Sequence, residues 1–328
     1  MKNNQLMIYG AYGYAGELMV REAVAQGLRP IIAGRDDEKL KPIATELSLE
    51  CRAFGVRNTG SNLQDISVLL NCAGPFSATA EPLARACLAQ QIHYLDITGE
   101  IDIFRKCHAL DEEARQQNVL ILPGAGTDIV PTDCLAAMLK EKLPVATRID
   151  LALSFGTNPS IGTVNTMIES FGKGGLIREG GMLKVVSNAF QMRKIPFQNK
   201  PQWAMTIPWG DVFTSGISTG VPDGAVYMAM PRMSIYMIRL TNPVKGILNT
   251  QFGQKITKRL AGWLMKKGPD AKALEAGRGQ FWGEAEAPDG EKLEMTMSTP
   301  NVYALTATVG IRIAQYCLDY TGPGGYYT

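Results

Sequence analysis

The chain has 328 residues, 45% of them apolar and 20% charged, with a net charge of +2. Those proportions exclude a disordered chain, and a balance so close to neutral argues against a nucleic-acid partner gripped by a broad basic surface. The length allows two domains, no apolar run reaches the roughly 18–20 residues of a membrane-crossing helix, and six scattered cysteines with two histidines point to neither disulfides nor a metal centre.

Residues 5–9 are a short apolar run, read as the first strand, which leads straight into Gly10, Tyr12, Gly13, Tyr14, Ala15 and Gly16. A helical pattern follows, with Leu18, Met19, Ala23 and Val24 on one face. A strand that passes through a glycine turn into a helix N-terminus cradles phosphate, because backbone N–H groups and the positive end of the helix dipole face the same anion. The spacing is G-x-x-G-x-x-G, whereas the dinucleotide fingerprint is G-x-G-x-x-G, and a purely structural turn would use the same glycines. The strand–turn–helix context favours the dinucleotide reading. Because the first strand starts at once, with no basic leader or cleavable apolar segment, a cytoplasmic location is expected.

The second strand ends in Gly34-Arg35, and a helix over 36–47 follows with Asp36 as its cap. At this point such folds read the adenosine ribose: an acid binds the 2′-OH of NAD, an arginine accommodates the 2′-phosphate of NADP. The order Gly-Arg-Asp favours NADP, although Arg35 also fits a solvated charge beside the helix start. Short strands are then expected at 51–54, 68–73, 93–97 and 119–122, with helices over 81–90 and 101–117 between them. This alternation predicts an α/β Rossmann fold, a doubly wound parallel sheet whose ligand lies beyond the carboxyl ends of the strands. Four Gly- or polar-rich turns fall on that rim: Gly34-Arg35; Ala73-Gly74-Pro75-Phe76; Thr98-Gly99-Glu100; and residues 124–128, ending in Asp128.

In the second half, residues 148–155 alternate as a half-buried strand, and 158–160 begin a helix whose first turns carry hydroxyls. Residues 172–181 read as a mobile loop or lid, and 203–214 as a strand around Pro208-Trp209-Gly210-Asp211. Another strand is expected at 226–230, and 280–287 with 292–298 form a hairpin across Pro288-Asp289-Gly290. A second α+β domain with a mixed or antiparallel sheet is expected. A final helix spans 301–318, and Gly322–Gly325 reads as a tail. Residues 244–267 carry apolar groups at helical spacing and six basic residues with no acid. They suit either peripheral membrane contact or a solvated helix face packed on the sheet.

These stretches resemble the saccharopine dehydrogenase-like oxidoreductases, in the branch that includes trans-acting enoyl reductases. The resemblance is carried by residues 8–16, 33–35, 71–76, 94–100 and 122–124 with 127–133, and later by Pro208-Trp209-Gly210-Asp211-Val212 and Ser218-Thr219-Gly220. Tyr12 and Ala15 stand where the family more often has threonine, which leaves the phosphate contact to backbone groups. The resemblance implies NADP(H) as cofactor, with Gly74-Pro75-Phe76 lining the nicotinamide and the Glu100 and Asp128 loops approaching the hydride site. A cofactor domain at 1–145, a substrate and dimerisation domain at 146–300 and a homodimer are expected, and the resemblance implies that the last helix packs on the cofactor domain.

Glu100, Asp128 and Asp211 are the expected catalytic acids, although acids near strand ends also serve as helix caps. The chain is therefore read as an NADPH-dependent oxidoreductase that reduces a C=C, C=N or C=O bond of a small apolar, acyl or lipid-like substrate. The alternatives are an NADP-binding redox sensor without turnover and a saccharopine-type amino-acid dehydrogenase. The last would need Arg178, Arg193 or Arg232 to bind carboxylates.

Overall fold

The computed structural model describes residues 4–155, 174–240, 242–244 and 277–328. The chain divides into two compact units, one of Met1–Val130 with Tyr303–Thr328 and one of Pro131–Val302. The division falls at Val130, where the sequence suggests 145.

The first unit is built on β1 (Leu6–Tyr9), β2 (Ile31–Gly34), β3 (Cys51–Ala53), β4 (Val68–Asn71), β5 (His93–Asp96) and β6 (Leu120–Leu122). With β15 (Gly325–Tyr326) they form one parallel sheet in the order β15-β6-β5-β4-β1-β2-β3. β1, β2 and β4 are buried along their whole length, as expected of central strands covered by helices on both faces. Helix α1 (Tyr14–Ala25) supplies Met19, Val20 and Ala23 to the core on one side. The C-terminal helix Val302–Leu318 adds Ala307, Ile311, Ala314 and Cys317 to that same cluster.

Three details depart from the sequence reading. The helix after β4, α3 (Phe76–Ala89), starts at Phe76, well ahead of residue 81. The single helix expected over 101–117 is two, α4 (Ile101–His108) and α5 (Asp111–Gln117). Arg105, Lys106 and His108 fill the last turn of α4, and Asp111, Glu112 and Glu113 the first turn of α5. That reversal of charge matches one helix ending and another beginning, each complementing its own dipole. The expected tail is in part the seventh strand. Gly325 and Tyr326 pair with Leu120 and Ile121, and the Tyr326 N–H donates to Asp111 Oδ1 at 2.7 Å.

The second unit holds a mixed sheet of eight strands: β7 (Arg148–Phe155), β8 (Gly175–Glu179), β9 (Met182–Val186), β10 (Met192–Pro196), β11 (Pro201–Ile207), β12 (Asp223–Ala229), β13 (Gly279–Glu286) and β14 (Lys292–Thr299). Its main path runs β10-β11-β12-β7-β13-β14, with β8 pairing β12 and β9. Among the described residues only β12 and β7 run parallel; the other pairs are antiparallel. The expected hairpin is β13–β14, in register from Gly279↔Thr299 to Glu286↔Lys292. β7 is covered on both faces, so its alternation did not mark a solvent side.

Residues 174–181 are not a loop or lid: Gly175–Glu179 is a strand, and Arg178 anchors it by donating to the carbonyls of Val221 and Val212. The strand expected over 203–214 stops at Ile207, and a helix begins at Asp211 (Asp211–Thr219). The Pro-Trp-Gly turn between them breaks the strand, since proline cannot donate to a ladder. The helix expected from 158–160 and nearly all of the 244–267 stretch lie outside the described residues. Among the described residues no helix is long and apolar enough to cross a membrane.

Candidate functional site

The strand order creates a topological switch. The chain moves outward from β1 through β2 to β3, then returns to place β4 on the other side of β1. In open parallel sheets this is where a crevice forms outside the carboxyl ends of the strands. Gly10 follows β1 and Ala73-Gly74 follow β4, so the first glycine turn and one of the four expected rim turns flank the switch directly. The others end β2, β5 and β6 along the same rim.

The first turn is shaped by backbone contacts. Gly10 has φ +86° and donates to the Ala33 carbonyl at 2.7 Å, while the Gly13 N–H donates to the Gly10 carbonyl at 3.0 Å. A Cβ on Gly10 would lie 2.7 Å from the Ala73 nitrogen, so the turns after β1 and β4 touch through backbone. Gly16 sits still closer to its own loop: a Cβ there would lie 2.2 Å from the Gly10 oxygen. Helix α1 opens at Tyr14 with Gly13 as its N-cap, and no side chain caps it. Its first-turn N–H groups are thus served by no capping oxygen at Gly13, the arrangement that suits an anion. The ring of Tyr14 packs edge-on to Tyr303, with centroids 5.2 Å apart.

Beyond β2, Gly34 lies beneath the Tyr12 ring, whose edge carbon would be 2.6 Å from a Cβ. Arg35 is exposed at the end of this strand. Lys39 adds a second cation, its Nζ 5.6 Å from the Tyr12 ring centroid while pairing with Asp36 at 3.2 Å. Asp36 is the N-cap of α2 (Asp37–Leu47), but its side chain makes no cap hydrogen bond.

Under the rim runs a buried polar chain that the sequence reading did not assign. Asn71 Oδ1 accepts from the Ala73 N–H at 3.0 Å, and its Nδ2 donates to Thr79 Oγ1 and Tyr94 OH, each at 3.2 Å. Tyr94 OH donates to Asp96 Oδ2 at 2.8 Å. Asp96 Oδ1 accepts from the N–H groups of Thr98 and Gly124, both at 3.0 Å. Thr98 Oγ1 in turn accepts from the Glu100 N–H at 3.1 Å. Three turns, after β4, β5 and β6, are thereby fixed to one another. The available signal was polarity out of place: Asn71 ends an otherwise apolar strand and Asp96 follows Tyr94-Leu95 in the next, and buried polar groups need partners. Burial pushes the Asp96 carboxyl up to about 6, against the lowering effect of the N–H groups of Thr98 and Gly124 and of Tyr94 OH.

Of the three expected acids, two share this rim. The Asp128 carboxylate packs against Gly99, an oxygen 3.1 Å from where a Cβ would stand, and burial pushes its carboxyl up to about 6. Glu100 is half-buried at the N-cap of α4. Asp211 belongs to the second unit, fully buried at the start of its helix, where its carbonyl accepts from Ser215 Oγ at 2.6 Å. Ala73 and Phe76 are half-buried, Gly74 and Pro75 exposed, and the Gly74–Pro75 bond is cis. Thr98 is buried, with its hydroxyl holding the Glu100 backbone.

Comparison with known proteins agrees with this geometry. Residues 6–122 match the family model described as the saccharopine dehydrogenase NADP binding domain. The chain is 25% identical over 231 residues to a saccharopine dehydrogenase-like oxidoreductase of Rattus norvegicus, covering 62% of this chain and 53% of that protein. It is 28% identical over 205 residues to a Mycobacterium tuberculosis protein named as a trans-acting enoyl reductase, covering 56% of this chain and 44% of that one. The chain spans about half the length of the curated relatives it matches. Among solved structures, apo saccharopine dehydrogenase (L-Glu forming) of Saccharomyces cerevisiae shares the fold, with TM-score 0.66 at 9% identity over 98% of this chain and 93% of that one. The resemblance and the cofactor type expected from the sequence both stand.

Proposed function

We propose that this chain, whose residues 6–122 form a saccharopine dehydrogenase-type NADP-binding domain, is an NADPH-dependent oxidoreductase acting on a C=C, C=N or C=O bond of an apolar or acyl substrate. The observation that carries the reading is the glycine turn at the β1–β4 switch, which leads into helix α1 through Gly13, an N-cap without a side-chain oxygen. Gly10, Tyr12, Gly13, Tyr14, Ala15 and Gly16 would hold the pyrophosphate by backbone N–H groups. Gly34 and Arg35, with Lys39 beside them, would take the 2′-phosphate. Ala73, Gly74, Pro75, Phe76, Thr98 and Gly99 would line the nicotinamide. The glycines fit such a group: side chains at Gly10 or Gly16 would collide with the turns that form the cradle.

A reduced nicotinamide supplies a hydride. The chain's own part is to orient the acceptor, exclude water and deliver a proton. Asp128 is the best-suited donor on this rim, because a carboxyl near 6 exists in both protonation states around neutral pH. Glu100 would position the acceptor beside it. Asp211, the third acid considered, is enclosed in the second unit, so we assign the proton to Asp128.

The saccharopine-type alternative is left with the exposed Arg232 as its carboxylate binder. Arg178 is buried against the carbonyls of Val221 and Val212, Arg193 is clamped by Glu284 at 3.1 Å, and the Arg232 guanidinium lies 5.0 Å from the Trp203 ring centroid. An acyl acceptor is supported by the name of the mycobacterial relative.

The test is isotopic. NADPH deuterated at C4 is incubated with a panel of enoyl thioesters, ketones and imines, and products are read by mass spectrometry. One deuterium is expected in the product of at least one class, with the signal reduced by about two orders of magnitude in Asp128→Asn. NADPH binding with no label transfer across the panel would favour the redox sensor.

A further inference from the structure

Asp128 stands on the turn that leads from β6 to the helix starting at Val130, and that turn is tied at both ends. At its start, the Gly124 N–H donates to Asp96 Oδ1 at 3.0 Å and the Ala125 N–H to the Asp96 carbonyl at 2.7 Å. At its end, the tie comes from 179 residues further along the chain. Thr306, on the C-terminal helix, accepts from the Thr127 N–H at 3.1 Å and donates to Thr127 Oγ1 at 2.9 Å. One hydroxyl thus serves a donor and an acceptor of the residue next to Asp128, and Thr127 itself is buried. The Thr306 methyl packs on the same turn: a Cβ on Gly126 would lie 3.2 Å from Thr306 Cγ2.

The helix that carries Thr306 is itself held fast within the first unit. Ala307, Ile311 and Ala314 lie in the core, and Thr308 Oγ1 donates to Glu22 Oε1 at 3.2 Å. A Cβ on Gly310 would lie 2.6 Å from Met19 Cε, so the helix also packs closely on α1. Thr306 therefore offers its hydroxyl from a fixed place. On the other side of Asp128 lies Gly99, whose turn hangs on Asp96 Oδ1 through the Thr98 N–H. A proton donor must stay within hydrogen-bond reach of the atom it serves, so a turn that drifted would cost rate even with the cofactor bound. Burial is what raises the Asp128 carboxyl, so its titration reports whether the turn is in place.

We propose that Thr306 is a positioning residue: its hydroxyl holds the turn at Thr127 so that the Asp128 carboxyl stays against Gly99. The inference rests on the reading of Asp128 as proton donor, and the experiment separates the two. Thr306→Val keeps the shape of the side chain and removes the hydroxyl, whereas Thr306→Ser keeps the hydroxyl. Thr308→Val removes a different hydrogen bond from the same helix. In the cofactor-free protein the Asp128 carboxyl is titrated by NMR. It is expected at about 6 in wild type, Thr306→Ser and Thr308→Val, and lower in Thr306→Val, towards the about 3.9 of a solvated aspartate. With the acceptor class found by deuterium transfer, kcat should fall about tenfold in Thr306→Val, with KM and NADPH affinity unchanged, and recover in Thr306→Ser. An unmoved titration in Thr306→Val overturns the inference, whatever the turnover. So does a lower melting temperature in Thr306→Val with wild-type kcat, which marks a merely structural bond. A Thr306→Ser variant as impaired as Thr306→Val, or a Thr308→Val variant that matches it, also overturns it. Label transfer at the wild-type rate by Asp128→Asn would instead sink the proton assignment, and the titration would still decide whether Thr306 holds the turn.

Discussion

Gly16→Val is expected to abolish measurable NADPH binding and to lower the stability of the first unit. The added Cβ would stand 2.2 Å from the Gly10 oxygen, 2.9 Å from the Gly10 carbonyl carbon and 3.0 Å from Ala11 Cα. All three are backbone atoms of the turn itself, so relief requires moving the loop rather than a side chain. Overpacking against fixed backbone costs about 1–3 kcal/mol in stability. Binding falls further, because the N–H groups must converge on one anion; a loss of at least about 100-fold corresponds to roughly 2.7 kcal/mol. Titration calorimetry with NADPH and urea unfolding give the two numbers. Gly13→Ala is the paired control: Gly13 has φ −77°, and its Cβ would meet only the Gly10 oxygen, at 3.2 Å. It should fold normally and bind more weakly than wild type, yet far better than Gly16→Val. Wild-type affinity in Gly16→Val would remove the cradle from the account.

Asp96→Ala is the second large effect. It removes the acceptor for the Thr98 and Gly124 N–H groups and for Tyr94 OH, all in a fully buried position. Leaving such groups unsatisfied costs about 1–3 kcal/mol each, with partial relaxation, so a loss of about 3–5 kcal/mol is expected in urea unfolding. The same residue sets a pH dependence. Its folded carboxyl lies at about 6, above the value of about 3.9 for an unfolded aspartate. Between those values the folded chain binds the extra proton, so this group adds stability as pH falls through about 6. The advantage of wild type over Asp96→Ala should therefore grow on acidification from neutral pH towards pH of about 4. A constant difference would mean that Asp96 is not the strained carboxylate that burial makes it.

How much of this was legible in the sequence depended on the length of the pattern. β1, β2 and β4 were readable because each is an unbroken apolar run ending in glycine or a polar turn, and the α/β order followed from them. The β13–β14 hairpin was readable from alternation on both sides of Pro288-Asp289-Gly290. The strand Gly325–Tyr326 was not, since two residues carry no period. β8 and β9 were hidden because glycine and charge at 172–181 mimic a loop, while the buried Arg178 that anchors the strand looks on paper like a solvated side chain. The places of Gly10 after β1 and of Arg35 after β2 could be read from the spacing of turn and strand. The Asn71–Tyr94–Asp96 chain could not, because it joins residues on two neighbouring strands whose register only the fold supplies.

The central claim is that the rim binds NADPH and that Arg35 reads its 2′-phosphate. Its most direct test is calorimetric titration of NADPH and NADH against wild type and Arg35→Ala. The account predicts that NADPH binds wild type at least about tenfold more tightly than NADH, a difference of roughly 1.4 kcal/mol. In Arg35→Ala the NADPH affinity should fall to the NADH value while NADH is unchanged. Equal affinities in wild type, or a preference that survives Arg35→Ala, would contradict it.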